Sequence, residues 1–347
     1  MPFDATPYLE AVELELKDIL AVPVQTGSQA ASGAPLFRMM RYHMGWANAD
    51  LEREDAPRGK RLRPLFCLLA CEASDGDWQQ AVPAAAAVEL SHNFSLIHDD
   101  IEDNSAERRH RPTVWSLWGL AQGVNTGDAL WAMANLAVQR LSDRGAPAES
   151  VLDVVRTLNH AVLELCTGQY LDLHYQTLPK VTVSDYERMI RGKTGALLSA
   201  ALSAGAILGG ATAEAVQQYG AFGMELGLAF QITDDVLGIW GDPQVTGKSA
   251  ASDILTRKKT FPVLHALAWE ETRGSTEMHD LYARPLTPDD VPAVLCSLAL
   301  AEAREAAQDR AREHLGRALV HLGATHGSGA AHDALRHLAC SVAERST

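Results

Sequence analysis

The sequence lacks the features that several classes of protein require. Its 30 lysine and arginine residues are outnumbered by 44 aspartate and glutamate residues, for a formal net charge of −14. Because no basic surplus is available to neutralise a nucleic-acid backbone, nucleic acid is excluded as a partner. The N-terminus carries acidic residues and no basic leader, which argues against a signal peptide.

Cysteine is scarce, and one long stretch has no charge. The five cysteines, an odd number, lie in apolar helical surroundings, which favours reduced core residues in a cytoplasmic protein. Residues 194–213 carry no charged side chain and are about as long as a membrane span. Because they are rich in alanine, glycine and serine rather than leucine and isoleucine, they predict a buried helix. We therefore expect no integral membrane segment.

Alternation of apolar and polar residues with period two is also absent, and helical periodicity dominates. With 47% hydrophobic residues, several predicted helices are apolar nearly all round and must pack centrally in a large bundle. We predict one all-α domain over residues 1–347. The predicted helices cover residues 9–20, 37–51, 64–73, 78–100, 128–140, 149–176, 184–209 and 212–239, with loops at 22–35 and 241–259 and breaks at 123–127 and 323–329.

An acidic cluster lies near the end of the predicted helix over residues 78–100. Asp99 and Asp103 are one helical turn apart and share a face, with Asp100 beside them. Carboxylates stacked in this way repel each other unless a positive group lies between them. Mg²⁺ suits such a position and usually brings phosphate oxygens as further ligands. The alternative is a solvated acidic helix end.

A second acidic cluster, Asp234 and Asp235, ends the predicted helix over residues 212–239. One turn after Asp234 stands Gly238, so this cluster lacks the paired carboxylate of the first one. We expect it to hold a cation more weakly, or through water. A helix-end charge pair is the alternative for this cluster.

Basic residues lie where phosphates would need them, since the acidic surplus would otherwise repel an anion. The turn over residues 58–63, which includes Lys60 and Arg63, opens an apolar helix and presents an anion site or, alternatively, a solvated basic turn. Arg108 and Arg109 follow the first acidic cluster. Lys193 heads the uncharged stretch, where it would snorkel or point into a polar site.

His92 and Lys248 are two further residues that could contact a ligand. His92 projects from nearly the same helix face as Asp99, which makes a ligand contact as plausible as a core role. Lys248 lies in a loop that could close over a ligand. Residues 246–249 end like a phosphate-binding P-loop, but the upstream glycine is misplaced and a helix precedes them, so we reject that interpretation.

Together these motifs resemble the trans-isoprenyl diphosphate synthase, or polyprenyl synthetase, family, and within it geranylgeranyl diphosphate synthases. The motifs are GKRLRP at 59–64, HNFSLIHDDIED at 92–103, RRHRPT at 108–113, GQYLDL at 168–173, KTG at 193–195, and FQITDDVLGIWGD and TGKS within 230–249. They follow the family's order within about residues 55–260. The resemblance implies an all-α bundle around a central apolar cavity, a homodimer, and Mg²⁺-dependent head-to-tail condensation of isopentenyl diphosphate with an allylic diphosphate such as dimethylallyl, geranyl or farnesyl diphosphate.

The resemblance also implies roles for individual residues. Three Mg²⁺ ions, with Mn²⁺ as a substitute, would bridge the allylic diphosphate to Asp99, Asp103 and Asp234, with Asp100 and Asp235 in support. The rest of the allylic diphosphate site would be Arg108, Lys193, Thr194, Gln231 and Lys248. The isopentenyl diphosphate site would be Lys60, Arg63, His92 and Arg109. We expect Asp99, Asp103, Arg108, Lys193, Asp234 and Lys248 to serve catalysis directly.

Product length is expected to depend on the helix that leads to Asp99. Ser91, Phe94 and Ser95 lie one to two turns before the acids. In the resembling family an aromatic residue near this point acts as a floor for the growing chain, which suggests geranylgeranyl diphosphate as product, with farnesyl and farnesylgeranyl diphosphate as neighbours. Plain core packing is the alternative for Phe94.

Two other functions are compatible with parts of this sequence. A class I terpene cyclase on the same fold would tolerate Gly238 and would not need Lys60, Arg63, His92 and Arg109. A non-catalytic subunit of a heteromeric synthase would not need the acids of the first cluster. The presence of both sets therefore favours a condensing enzyme.

Overall fold

A computed structural model describes residues 3–21, 30–57, 59–241 and 252–343. The all-α prediction is confirmed. Within the described ranges the regular β-structure is limited to an antiparallel ribbon, β1 (Glu107–Arg108) with β2 (Arg111–Pro112), and an isolated bridge between Ala47 and Arg53. No helix of the described part is both long and apolar enough to span a bilayer.

The chain divides into two compact units, which we describe separately; the prediction of a single domain stays a prediction. The first unit comprises Met1–Asn159, Ala201–Val216 and Ser328–His332. The second comprises His160–Ala200, Gln217–Gly327 and Asp333–Thr347.

The helices follow one another along the chain with short connections. The first six are α1 (Thr6–Ile19), α2 (Ala30–His43), α3 (Leu62–Glu72), α4 (Val82–Glu102), α5 (Val114–Trp118) and α6 (Leu120–Asp143). The next four are α7 (Ala148–Thr177), α8 (Val183–Ile190), α9 (Ala196–Leu208), joined to α8 by a π-helical turn at Arg191–Gly195, and α10 (Ala213–Trp240). The described remainder holds α11 (Ser252–Leu255), α12 (Phe261–Arg273), α13 (Glu277–Tyr282), a 3₁₀ turn (Pro288–Asp290), α14 (Val291–Leu300), α15 (Ala303–Gly323) and α16 (Gly329–Ala343).

Helix α4 lies at the centre of the first unit and packs against α1, α3 and α6. Its first half is a run of alanines, Ala84–Ala87, with no exposed surface. Small side chains let neighbouring helices approach closely and leave most of the packing to their partners. Pro83 stands in the first turn of α4, so it marks the start of the helix and not a kink.

The predicted break at residues 123–127 is wrong, because α6 runs through both glycines. A Cβ built on Gly123 would lie 2.8 Å from Cδ1 of Ile101 and 2.9 Å from Cβ of Trp115, and one on Gly127 would overlap the His98 ring. These glycines are therefore sites of close helix packing and not helix breakers.

The prediction for α2 is also wrong in both boundaries. The helix extends N-terminally through Pro35 to Ala30, and it ends at His43 and not at residue 51. Gly45 follows with a φ of 85°, a left-handed conformation that glycine adopts without strain and that stops the helix. The rest of the predicted loop at 22–35, residues 22–29, lies outside the described residues.

The second unit is held together by unusually close helix contacts around the π-helical turn. A Cβ on Gly168 of α7 would lie 2.7 Å from the carbonyl carbon of Gly192, and one on Gly227 of α10 would lie 2.7 Å from Cα of Gly195. Both approaches require glycine. The sequence predicted one helix over residues 184–209 and did not foresee the π-helical turn, a feature that often accompanies functional sites.

Cysteine burial matches the prediction only in part. Cys67 and Cys71 are buried on α3, whereas Cys166 and Cys296 are exposed. The expectation that all five are core residues is therefore wrong. Burial raises the pKa of the Cys71 thiol to about 12, so this side chain behaves as a small apolar group.

Candidate active-site residues

The first acidic site consists of Asp99, Asp100 and Asp103 at the C-terminal end of α4. The backbone N–H of Asp103 donates to the carbonyl of Asp99 over 2.9 Å, which confirms that the two residues stack one turn apart. Asp99 and Asp103 are partly exposed, and Asp100 is buried. A helix C-terminus already carries partial negative charge, so three carboxylates there create a strong demand for a cation.

Arg108, which lies on the β-ribbon, supplies positive charge next to these carboxylates. Its Nε donates to Asp100 Oδ1 over 2.7 Å, and its Nη2 lies 3.3 Å from Asp99 Oδ2. Burial raises the pKa of Asp100 to about 6, with Asp99 and Asp103 adding to the rise and Arg108 opposing it. Asp100 thus anchors Arg108 beside the two more exposed carboxylates, and the supporting role that the resemblance implies for Asp100 stays a prediction.

The ribbon that carries Arg108 turns through two residues in left-handed conformations. Arg109 has a φ of 54° and His110 a φ of 60°. Such values are uncommon for residues other than glycine, and each costs about 1–3 kcal/mol that contacts with the surrounding structure must offset. The turn holds Arg109 so that its Nη2 would lie only 2.8 Å from a Cβ on Gly59.

A basic cluster lies in the same unit as the first acidic site. Arg63 Nη1 is 3.3 Å from Nε2 of His92, and Arg61 Nη1 donates to Glu89 Oε1 over 2.5 Å. Nε of Arg63 is buried without a hydrogen-bond partner among the described residues. A partly buried guanidinium whose Nε donor is unsatisfied is suited to an anionic ligand.

Two histidines complete this cluster in their neutral form. Burial lowers the pKa of His92 well below its usual value, and Arg63, Arg109, Arg108 and Arg61 lower it further. His43 of α2 shows the same effect from burial and from Arg109, Arg108 and Arg61. At neutral pH the positive charge of the cluster therefore belongs to its arginines, and the imidazoles serve as hydrogen-bonding groups.

The predicted product-length residues have clear packing partners. Phe94 is 6% exposed, and its ring centroid lies 5.4 Å from that of Trp131 on α6 and 5.8 Å from that of His98. Ser91 and Ser95 donate to carbonyls of their own helix, at Ala87 over 2.7 Å and at His92 over 2.8 Å. Their hydroxyls are thus satisfied locally, and Phe94 with Trp131 forms the bulk at this level of α4.

The second acidic site, in the second unit, is built differently. Asp234 of α10 is exposed, and Asp235 is 5% exposed. Asp235 accepts hydrogen bonds from Tyr186 Oη over 2.5 Å, from Gln231 Nε2 over 3.1 Å and from the Phe261 backbone N–H over 3.2 Å. Burial nevertheless raises its pKa to about 7. These bonds tie α10 to α8 and α12, which favours support over metal ligation; the predicted metal contact of Asp235 stays a prediction.

The π-helical turn presents two of the predicted diphosphate ligands. Lys193 Nζ lies 2.5 Å from Asp172 Oδ2 on α7, and Thr194 Oγ1 donates to Gln231 Oε1 over 2.7 Å. Since Gln231 in turn donates to Asp235, a hydrogen-bond chain runs from the turn into the second acidic site. Lys193, Thr194, Gln231 and the second acidic site are thus brought together within one unit.

The structure brings together only some of the residues that were predicted to bind isopentenyl diphosphate. Arg63, His92 and Arg109 lie together as expected, whereas Lys60 is exposed in the same turn. Lys248 lies outside the described residues. No site role was predicted for Arg61, Glu89, Asp172 or Tyr186, although Arg61 belongs to the basic turn over residues 58–63. Asp172 was detectable within the GQYLDL motif, but Tyr186 gave no signal because its partner is 49 positions away.

The donor set of the first site suits a hard cation, since carboxylate oxygens are the ligands that Mg²⁺ prefers. Across the part of the chain that the structure describes, no group of three or more His, Cys, Asp or Glu side chains is arranged to hold a metal alone. Mg²⁺ commonly binds through one or two carboxylates and takes its other ligands from water and substrate phosphates. The residues therefore fit a cation that binds together with a phosphate ligand.

Comparison with known proteins gives a consistent result. The model of the polyprenyl synthetase family matches residues 48–298. A geranylgeranyl diphosphate synthase of Mycobacterium tuberculosis is 41% identical over 290 residues, 83% of this chain and 81% of that protein. A (2E,6E)-farnesyl diphosphate synthase of Mycobacterium bovis is 37% identical over 281 residues, 80% of this chain and 77% of that protein. The crystal structure of a polyprenyl synthetase from Streptomyces coelicolor A3(2) matches with a TM-score of 0.85 and 36% identity, covering 98% of this chain and 99% of that one.

Proposed function

Since this chain belongs to the polyprenyl synthetase family and is a trans-prenyl diphosphate synthase, we propose that it makes geranylgeranyl diphosphate by adding isopentenyl diphosphate head-to-tail to allylic diphosphates. Its fold is the all-α isoprenoid synthase fold, and its substrates are isoprenoid diphosphates. Relatives that make C15 and C20 products are similarly close, so the product length rests on Phe94.

The observation that carries the proposal is the position of the basic cluster within the first unit. Arg63, His92 and Arg109 lie together in the unit that also carries Asp99, Asp100 and Asp103, and Arg108 bonds to the acids directly. An enzyme that ionises a single diphosphate needs one site for it. A second, separate set of cations supports a second diphosphate, as a condensing enzyme requires.

Enzymes of this family are generally metal-dependent, and Asp99, Asp103 and Asp234 are the residues that we propose to hold Mg²⁺. When bound, Mg²⁺ supplies positive charge that stabilises a departing diphosphate. Arg108, Lys193, Thr194 and Gln231 would hold the allylic diphosphate, with Lys248 as a further proposed ligand. These residues would donate to the oxygens on which negative charge develops as the allylic C–O bond breaks.

Arg63, His92 and Arg109, with Lys60, would hold isopentenyl diphosphate. Fixing the alkene beside the allylic carbon turns a bimolecular step into an effectively intramolecular one, which supplies a large part of the rate. Neutral His92 would donate or accept a hydrogen bond there without adding charge. Phe94, backed by Trp131, would limit the length of the growing chain.

Incubation of the purified protein with dimethylallyl and isopentenyl diphosphates and Mg²⁺, followed by sizing of the products, tests the proposal. We expect geranylgeranyl diphosphate as the main product. The variant Arg63→Gln, which removes a cation of the proposed isopentenyl diphosphate site, should raise KM for isopentenyl diphosphate much more than KM for the allylic substrate. Cyclic hydrocarbon from geranylgeranyl diphosphate alone would indicate a terpene cyclase, and absence of any condensation product would refute the proposal.

A homodimer is part of the same proposal. Leu136 on α6 and Leu152 on α7 are 52% and 54% exposed, and large apolar side chains at a surface are suited to burial against a second copy. Sedimentation velocity would test this, and a monomer at micromolar concentration would contradict it.

A further inference from the structure

Gly238 stands one turn after Asp234, where a third acid would complete the second acidic site, and its surroundings are already filled. A Cβ built on Gly238 would lie 3.0 Å from Cγ of Asp253 and closer still to Oδ2 of the same residue. The volume in which a side chain at position 238 would begin is therefore occupied by a carboxylate from another helix, α11.

This carboxylate is buried and has few contacts that explain its place. Asp253 is 8% exposed, and the hydrogen bond that Thr256 Oγ1 donates to this residue goes to its backbone carbonyl and not to its carboxylate. Its negative charge acts instead on Asp235, whose pKa it helps to raise, and on the hydroxyl of Tyr282. A buried carboxylate beside a second one is costly unless a cation or strong donors compensate it.

The backbone around Asp253 explains how it is held against α10. The carbonyl of Asp253 accepts from the backbone N–H of Lys258 over 2.9 Å, and the carbonyl of Ile254 accepts from that of Arg257 over 2.8 Å. These bonds close the end of α11, and Ile254 is fully buried. The backbone that carries the Asp253 side chain is therefore fixed by its own segment.

We propose that Asp253 supplies the carboxylate that Gly238 lacks, and so completes the acidic face for the cation and diphosphate held at Asp234. Glycine at position 238 is then the residue that makes room for this carboxylate. The inference rests on the proposed function, because it assigns Asp253 to the same diphosphate-dependent site.

The test measures binding without turnover. Titration calorimetry with inorganic pyrophosphate at a series of Mg²⁺ concentrations gives the half-saturating Mg²⁺ concentration for the full-length protein. Asp253→Asn should raise this concentration about tenfold, as expected for loss of a group that supports a metal site. Asp289→Asn, which removes an equal charge from an exposed position, is the matched control and should leave it unchanged.

Moving the carboxylate back to α10 separates this role from a structural one. In the double variant Gly238→Asp/Asp253→Asn most of the loss in Mg²⁺ affinity should be recovered. Gly238→Asp alone would force two carboxylates into one volume and should lower Tm without improving Mg²⁺ binding. If the double variant folds and shows no recovery, Asp253 acts only on the packing of α11 and the inference is overturned.

Three further outcomes would overturn either the inference or the proposed function. Asp253→Asn with the Mg²⁺ requirement of the wild type would overturn the inference. If Asp253→Asn does not fold, Gly238→Ala displaces the carboxylate without removing its charge, and it should also raise the Mg²⁺ requirement; a Gly238→Ala protein that matches the wild type would refute the inference. A wild-type protein that binds no pyrophosphate with Mg²⁺ and condenses no substrates would refute the proposed function instead.

Discussion

The two acidic sites gather carboxylates by different routes. The first takes all three from one helix end, so Asp99, Asp100 and Asp103 are contiguous in sequence as well as in space. The second takes an exposed Asp234 and a buried Asp235 from α10 and places Asp253 of α11 over Gly238. If both sites bind a cation as we propose, its carboxylates would come from one continuous motif at the first site and from two segments at the second.

The buried carboxylates of the two sites, Asp100 and Asp235, also differ in their hydrogen-bond partners. Asp100 is paired with a single charged partner, Arg108, which belongs to the ribbon beside the acids. Asp235 is bonded to three neutral donors on three segments of the scaffold. Loss of Asp100 should therefore disturb Arg108, which we propose to bind the allylic diphosphate, whereas loss of Asp235 should disturb the packing of α8, α10 and α12.

The largest effects should come from substituting the more exposed carboxylates of the two sites, Asp103 and Asp234. Asp103→Asn removes one of two stacked carboxylates, and we expect kcat/KM to fall about 10³-fold, at the upper end of what one electrostatic contact supplies. Asp234→Asn should cost about 10²-fold, because the carboxylate of Asp253 beside Gly238, which we propose to belong to the same site, remains. Steady-state kinetics at saturating Mg²⁺ measures both.

Asp289→Asn serves as the exposed control and should retain full activity. Equal losses for Asp103→Asn and Asp234→Asn would show that the two sites contribute alike, and the contrast between a contiguous and an assembled site would then have no catalytic meaning.

A second prediction contrasts two carboxylates of α10. Burial raises the pKa of Asp235, whereas Glu225, despite partial burial, has its pKa lowered to about 2 by hydrogen bonds from His314 and Arg317. A lowered pKa means that the stabilisation by Glu225 is present above about pH 4.5 and is lost as the pH falls through about 2. At pH 7, Glu225→Gln should lower the free energy of unfolding by about 2–3 kcal/mol.

Urea unfolding of wild type and Glu225→Gln at several pH values measures this difference, which should shrink steadily below pH 4.5. Glu313→Gln is the control, since Glu313 pairs with Arg310 at 2.7 Å but is 56% exposed, and it should cost less than about 1 kcal/mol. A pH-independent difference for Glu225→Gln would assign its contribution to packing.

Local patterns were sufficient for most of the fold and for one of the two sites. The helices and the Asp99–Asp103 pair depend on spacings of three or four residues, which the sequence displays directly. The same spacing rule failed at Gly123 and Gly127, where glycine serves contacts between helices. It also failed at the second acidic site, because the partner of Gly238 is 15 positions away and the contact exists only after folding.

Residues that act through partners were missed for the same reason. Glu89 neutralises Arg61 from 28 positions away, and Tyr186 reaches Asp235 across 49. Neither belongs to a charged motif of its own. A single sequence shows which side chains could bind phosphate or metal, but the groups that orient them become visible only when distant helices are brought together.

The smallest effect on rate, and the one confined to product length, concerns α4 itself. Helix α4 carries both the first acidic site and Phe94, and the aromatic pair Phe94–Trp131 lies one to two turns before the acids. Removing the ring with Phe94→Ala should open space without touching a diphosphate ligand, so kcat should change by less than about threefold while the product shifts to C25 or longer. The cavity should also cost about 3–5 kcal/mol of stability. Sizing of dephosphorylated products by chromatography measures the shift.

Ser91→Ala compares another predicted product-length residue on the same helix. Because the Ser91 hydroxyl donates to the backbone carbonyl of Ala87 at 2.7 Å, we expect this variant to change the product less than Phe94→Ala does. If Phe94→Ala gives the same product as wild type, Phe94 is core packing alone and the floor must be sought elsewhere along the helix, with Trp131→Ala as the next variant to measure.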